Sequence, residues 1–343
     1  VTLPLKAPYA PMEARPVAAI PEGDAWQYEP KWDGFRCLAF KDGSKVHLQS
    51  KSGEPLGRYF PELVQAVGAL KAKSCVLDGE IVIPVGRSIS FEDLLLRIHP
   101  AESRVKKLAT AQPALYLVFD LLVDERGKDL TRLPLADRRA RLERFAAAQF
   151  EDGERFALSP VTRKLPAARR WLARSGGALD GVVAKRVDAT YDSGGRDAMQ
   201  KVKEKRTADC VVGGFRYGSN EKIVGSLLLG LYDEDKLLHH VGFTSSLTRP
   251  ARAALTPKLE ALVKAPGFTG KAPGGPSRWS TKRSGEWQPL QPKLVVEVEY
   301  DAFTGGRFRH GTKFLRWRPD KAPRQCTFDQ LARPAVSLRT VLG

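Results

Sequence analysis

Residues 26–50 divide into three short runs in which side chains alternate between two faces. Phe35, Cys37 and Ala39 share one face of a strand, and Arg36, Leu38 and Phe40 share the other. Asp42-Gly43 is a hairpin signal, after which Val46 and Leu48 alternate with polar residues. The stretch predicts strand, short turn, strand, turn, strand. Phe60-Pro61-Glu62 opens a helix with Leu63, Val67 and Leu70 as its apolar stripe. Val76–Ile83 and Leu115–Val123 are apolar runs of strand length, and Ser90 with Asp93 reads as a helix cap before Leu94–Ile98. Residues 135–148 form an Arg/Ala-rich helix, and Leu179–Val187 returns to strand. The first ~200 residues therefore mix a substantial antiparallel sheet with helices, an α+β pattern.

The texture changes near Lys203-Glu204-Lys205-Arg206. Short β-like segments follow at Cys210–Phe215, Ser226–Asp233, Leu237–Phe243 and Leu294–Tyr300, with a turn at residues 233–236 and one helix over residues 249–264. Several short strands and a helix in ~130 residues fit a small closed barrel of the oligonucleotide-binding (OB) kind. Residues 265–292, rich in Pro, Gly and basic side chains, read as a partner-facing loop. The expected division is residues 1–205 and 206–343. A length of 343 residues suits two cores.

Composition narrows the function. The 42% hydrophobic and 28% charged residues are those of a soluble globular protein. No run approaches the ~18 apolar residues of a membrane span, and no basic-then-apolar signal region opens the chain. A net charge of +17 points to a polyanion, since phosphate contacts by Lys and Arg drive sequence-independent nucleic-acid affinity. The charge is spread along the chain without a polybasic tail, which favours a basic face on a folded body. Cys37, Cys75, Cys210 and Cys326 are far apart and contain no Cys-x-x-Cys, so they read as reduced core residues of a cytosolic protein. The five histidines have no metal spacing, and His239-His240 face opposite sides of a strand.

The chemistry centres on Glu29-Pro30-Lys31-Trp32-Asp33-Gly34-Phe35-Arg36, a Lys-x-Asp-Gly-x-Arg motif on a turn between two strands. Leu77-Asp78-Gly79-Glu80 and Asp180-Gly181-Val182-Val183-Ala184-Lys185 add carboxylates, although either Asp-Gly pair by itself could be an ordinary turn. Phe119 lies in an apolar run, Gln200-Lys201-Val202-Lys203 carries two cations at i, i+2, and residues 314–321 read Phe-Leu-Arg-Trp-Arg-Pro-Asp-Lys.

In this order the motifs resemble the nucleotidyltransferase superfamily of ATP-dependent DNA ligases, RNA ligases and mRNA capping enzymes. Within it the chain is most similar to the bacterial stand-alone ligase C group and the ligase module of ligase D. The resemblance implies an ATP-grasp-like adenylation domain with antiparallel sheets, followed by an OB-fold barrel. It implies that a lysine takes AMP from ATP, passes it to the 5′-phosphate of a nick, and lets the 3′-hydroxyl displace it. Lys31 would be the nucleophile, with Asp33, Lys201 and Lys203 as further catalytic residues. A nucleophilic amine must be neutral although an unperturbed lysine has a pKa of ~10.4, and neighbouring cations favour the neutral form. The nucleotide contacts implied are Glu29 (adenine), Arg36 (ribose), Lys51, Glu80, Phe119 (purine stacking), Lys185, and Arg316, Arg318, Asp320 and Lys321 of the last motif. That last motif closes over pyrophosphate during self-adenylation and swings away on DNA in this superfamily. Glu80 and Asp180 would hold Mg²⁺ or Mn²⁺, hard cations suited to carboxylate and phosphate oxygens. Thr304–Gly311 forms a basic aromatic patch before the last motif.

Three positions depart from the family's usual pattern: Lys51 stands for its arginine, Asp180 for its glutamate, and Met199-Gln200 where a tryptophan often precedes the lysines. An RNA ligase or capping enzyme shares the first motif, but the match extends through the barrel. An NAD-dependent ligase would need an extra N-terminal domain and zinc-finger cysteines. A purely strand-binding basic barrel would leave Lys31 without a role. The expected partners are nicked duplex DNA and a repair polymerase or primase. The protein is expected to be a cytoplasmic, nucleoid-associated monomer with no membrane contact.

Overall fold

The computed structural model describes residues 3–150, 154–176, 179–219, 221–274, 286–332 and 337–342. The chain forms two compact units, residues 1–204 with 335–343, and residues 205–334. The last nine residues thus group with the first unit rather than the second. Leu338 and Val341 pack with Trp32 and Val82, and the Leu338 N–H donates to Arg87 O at 2.7 Å.

Two sheets build the first unit. One has the order Lys45–Ser50, Phe35–Asp42, Ser74–Val82, Leu115–Val123, Phe156–Leu158. The other has the order Arg15–Pro16, Met199–Val202, Leu179–Arg186, Trp26–Trp32. Pairing is antiparallel except at the outer strands Phe156–Leu158 and Arg15–Pro16. All nine residues of Leu115–Val123 are buried, because its alternate side chains feed different cores. Tyr116 and Val118 join the cluster around Leu77 and Phe145, whereas Leu115 and Leu117 join Trp32 and Leu179. A strand covered on both faces reads as a continuous apolar run.

The segment over residues 26–50 differs from a simple meander. Trp26–Trp32 pairs with Leu179–Arg186, while Phe35–Asp42 pairs with Lys45–Ser50 and Ser74–Val82. Asp33-Gly34 therefore carries the chain from one sheet to the other. A Cβ on Gly34 would lie 2.3 Å from Ile81 O and 2.8 Å from Glu80 Cγ, so glycine is what permits the crossing this close to the neighbouring strand.

The expected helices form at Pro61–Ala69, Phe91–Leu96 and Leu135–Gln149, the second capped by Ser90 Oγ accepting Asp93 N–H at 3.1 Å. Two further helices, Glu102–Ala111 and Leu165–Ala173, bury only Val105 with Ala109 and only Ala168 respectively. Such thin apolar stripes give little periodic signal.

The second unit is a barrel with strand order Leu238–Thr244, Val224–Tyr232, Arg206–Tyr217, Val295–Tyr300, Lys313–Trp317. It closes where the Thr312 N–H donates to Phe243 O at 3.1 Å and Thr312 bridges Thr244. Its helix spans Arg249–Glu260, shorter than the periodicity predicts. Part of the Pro/Gly-rich loop, residues 275–285, lies outside the described residues. All four cysteines are buried and free. Among the described residues no helix is long and apolar enough to cross a membrane.

Candidate active site

Antiparallel register creates the floor of a cavity in the first unit. Glu29 and Lys31 lie two residues apart on one strand, opposite Val183 and Gly181; Lys201 pairs with Val183, and Met199 with Lys185. With a period of two, these positions point to one face of the sheet. Glu29, Lys31, Val183, Lys185, Met199 and Lys201 all line the cavity. Arg36, Glu80 and Phe119 line it from the other sheet, Lys51 from beyond Lys45–Ser50, and Pro11–Ala14 from an N-terminal strap.

Neither Asp-Gly pair is a turn. The register between Leu179–Arg186 and Trp26–Trp32 shifts between Leu179 and Gly181, leaving Asp180 as an extra residue opposite Lys31. Such a bulge re-aims a side chain. Lys31 Nζ donates to Asp180 Oδ2, and Lys203 Nζ lies 3.1 Å from the same oxygen. Gly181 has φ +141°, and a Cβ there would lie 2.0 Å from Val202 O, so only glycine completes the bulge. At Asp78-Gly79 a second register shift occurs against Leu115–Val123, and a Cβ on Gly79 would lie 2.5 Å from the Tyr116 ring.

The two lysines of the Gln200–Lys203 segment occupy different positions. Met199–Val202 ends before Lys203, which pairs with Asp180, while Lys201 faces the cavity. Burial lowers the pKa of Lys201, helped by the positive charges of Lys31, Lys51 and Lys203. Lys51 itself is 3.0 Å from Glu13, which also pairs with Arg196 at 2.8 Å.

Lys185 and Glu29 form a buried ion pair at 2.7 Å, and Gln27 Nε2 donates to Glu29 at 3.0 Å. Phe119 is 8% exposed, and two cations approach its ring, Lys185 Nζ at 4.3 Å and Arg36 Cζ at 4.6 Å from the centroid. Arg36 is clamped to Asp78, Nε–Oδ1 at 2.5 Å and Nη2–Oδ2 at 2.6 Å. Burial pushes the Glu80 carboxyl up to about 7 against the opposing pull of Lys31 and Arg36. Asp33 sits in the crossover turn outside the strands.

The residues at 316–321 form their own constellation on the barrel. Arg318 Nη1 and Lys321 Nζ both bind Asp209, at 2.9 Å and 2.6 Å. Arg318 also binds Asp320 at 2.8 Å, and Arg316 binds Glu297 at 2.6 Å. The Arg318 hydrogen bond holds the exposed Asp320 carboxyl down at about 2. Asp209 escaped the sequence reading, although a lone carboxylate within Ala208–Val212, all otherwise apolar, was a signal. Met12 and Glu13 of the strap and Tyr191 behind it were missed too, since no short motif marks them.

A cluster of cations and carboxylates beside an aromatic ring and a lysine suits the binding of a nucleotide phosphate. Comparisons agree. The family description "ATP dependent DNA ligase domain" matches residues 11–203, and "ATP dependent DNA ligase C terminal region" matches residues 220–321. DNA ligase C2 of Mycolicibacterium smegmatis is 45% identical, the alignment covering 98% of this chain and 97% of that protein. DNA ligase C of Mycobacterium tuberculosis is 43% identical, covering 99% and 98%. A Lig E DNA ligase structure shares the fold at TM-score 0.52 and 18% identity, covering 86% of this chain and 93% of that one. With its lysine, its ordered motifs and both of the family's domains in place, the chain belongs to the ATP-dependent DNA ligase family.

Proposed function

We propose that the ligase stores AMP on Lys31 and seals nicks that carry a 3′-hydroxyl and a 5′-phosphate in duplex DNA. The carrying observation is that Lys31 rises from the same sheet face as Lys201 and Glu29, opposite Arg36, Glu80 and Phe119. In the first step a P–N bond forms between Nζ and the α-phosphorus while the bond to the pyrophosphate oxygen breaks. Lys201 and Lys51 offset the charge that grows on the phosphate oxygens. Glu29 and Lys185 read the adenine end, and Phe119 packs on the purine. AMP then passes to the DNA 5′-phosphate, and the 3′-hydroxyl displaces it.

Lys31 Nζ is engaged by Asp180 Oδ2. Attack therefore requires Lys31 to leave Asp180. Arg318 and Lys321 act on the departing pyrophosphate. Glu80 and Asp180 are the residues that would hold Mg²⁺ or Mn²⁺. Glu80 fits that role because, among the described residues, its half-buried carboxylate has no hydrogen-bond or ion-pair partner, although burial makes its charge costly. The ion supplies charge neutralisation at the phosphates when bound. A role in DNA repair, as a monomer working beside a repair polymerase or primase, completes the reading.

The test is incubation with α-labelled ATP and a divalent ion, then a chase with nicked duplex. A heat-stable, acid-labile label on the protein that moves to DNA supports the proposal. A label obtained with GTP but not ATP would instead favour a capping enzyme.

A further inference from the structure

The clamp on Arg36 has a second layer. Asp78 Oδ2, which accepts from Arg36, also accepts from the Tyr191 hydroxyl at 2.6 Å. The Met12 N–H donates to the same Tyr191 oxygen at 3.1 Å, and Arg36 Nη2 reaches Met12 O at 3.3 Å. The four groups form a closed ring: Arg36 to Asp78, Asp78 to Tyr191, Tyr191 to Met12, and Met12 back to Arg36. Asp78 is 0% exposed and Tyr191 5%, so the two bonds made by the Tyr191 hydroxyl are buried, while those of Arg36 are part-buried at the cavity wall. Burial pushes the Tyr191 hydroxyl well above its ordinary range, which keeps it protonated and able to donate.

Tyr191 is itself held firmly. Its N–H donates to Thr131 O at 2.8 Å, and its ring stacks on Tyr9 at 6.4 Å between centroids. The cavity is lined by Arg36 and Met12, on the near side of the ring. Removing the hydroxyl would leave two buried polar groups short of a partner, an acceptor lone pair on Asp78 and the Met12 N–H. Unsatisfied buried groups cost more than the bond they lose, so the ring would relax.

We propose that Tyr191 is a positioning residue for nucleotide binding. Through Asp78 it fixes the guanidinium of Arg36 beside Phe119, and through Met12 it fixes the strap that walls the cavity. The inference rests on the reading that this cavity takes ATP.

The experiment measures KM for ATP and kcat of self-adenylation in the wild type, Tyr191→Phe, Arg36→Ala and the double variant. Tyr191→Phe is expected to raise KM about tenfold with kcat changed less than about threefold. The double variant is expected to fall well short of the sum of the two single effects, because residues in one network do not add. Tyr116→Phe is the control. Its hydroxyl is equally buried and donates to Cys37 O and Leu77 O, outside the ring, so it loses a comparable bond. It should lower the melting temperature similarly and leave KM alone. Should Tyr191→Phe fold poorly, Asp78→Asn opens the same ring, and its combination with Arg36→Ala must likewise be non-additive. Additive effects, or an equal KM rise in Tyr116→Phe, would overturn the proposal. A wild type that takes no label would instead overturn the reading of the cavity.

Discussion

Asp180 faces Lys31 because one strand carries a residue more than its partner. Gly181 pairs with Lys31 and Leu179 with Trp32, and the bulged Asp180 between them holds both Lys31 and Lys203. The nucleophile of the proposed reaction thus rests in an ion pair.

A direct test follows from this pair. Lys31→Ala should abolish the ATP-derived label and ATP-driven sealing. Lys31→Arg keeps a cation for Asp180 and should melt near the wild-type temperature, yet it should also take no label, because a guanidinium does not lose its proton. Labelled Lys31→Arg protein, with contaminating wild type excluded by mass, would remove Lys31 from the mechanism.

Glu80 should show a stability cost of function. Its carboxyl is raised to about 7, so the folded chain holds a proton between about pH 4.5 and 7 that the unfolded chain has released. That contribution is fully present below about pH 4.5 and is lost as the pH rises through 7. Above it, the charged side chain is carried at a cost that glutamine avoids. Glu80→Gln should therefore raise stability by about 2 kcal/mol near pH 8 and by little near pH 4.5, while self-adenylation falls. Melting curves at the two pH values check this; an equal gain at both would mean that the charge is not what strains the site.

The ion pairs of Arg318 and Lys321 with Asp209 lie within the barrel. If these cations serve departing pyrophosphate, Arg318→Ala or Lys321→Ala should lower self-adenylation by about 10²–10³-fold. Single-turnover closure of a nick already carrying AMP contains no pyrophosphate and should survive. Equal loss in both assays would assign the pair to DNA binding or to the integrity of the barrel.

The net charge of +17 predicts a phosphate-dominated grip on DNA. Affinity for nicked duplex should fall steeply, by about 10³-fold or more from 50 to 200 mM salt if six or more phosphates are contacted, with little dependence on sequence around the nick. Titration by fluorescence anisotropy gives the slope, and a flat salt response would contradict the interface.

Much of this was legible in the chain itself. The strands over residues 26–50, the capped helix after Ser90, the buried run Leu115–Val123 and the order of the motifs all depend on local periodicity and short-range chemistry. Lys31, Lys51, Glu80, Phe119, Lys185 and Lys201 were singled out by the resemblance of their motifs to those of the nucleotidyltransferase family. Their convergence on one cavity depended on register. Phase along Trp26–Trp32, Leu179–Arg186 and Met199–Val202 had to agree for their side chains to share a face.

Tertiary structure decided what the motif residues touch. Asp78-Gly79 and Asp180-Gly181, each taken alone, could be a turn in one dimension. They become irregular strand positions because Tyr116 and Val202 come close to the glycines. Lys201 and Lys203, alike at i and i+2, separate because the strand ends between them and Asp180 lies across the sheet. Arg36 meets Asp78 from 42 residues away, Tyr191 meets Asp78 from 113, and Arg318 meets Asp209 from 109. Sequence alone fixed which groups were available for chemistry, because side-chain identity and local periodicity are properties of the chain. Their partners were fixed only on folding, because burial drives most polar groups to find an opposite wherever packing brings one within reach.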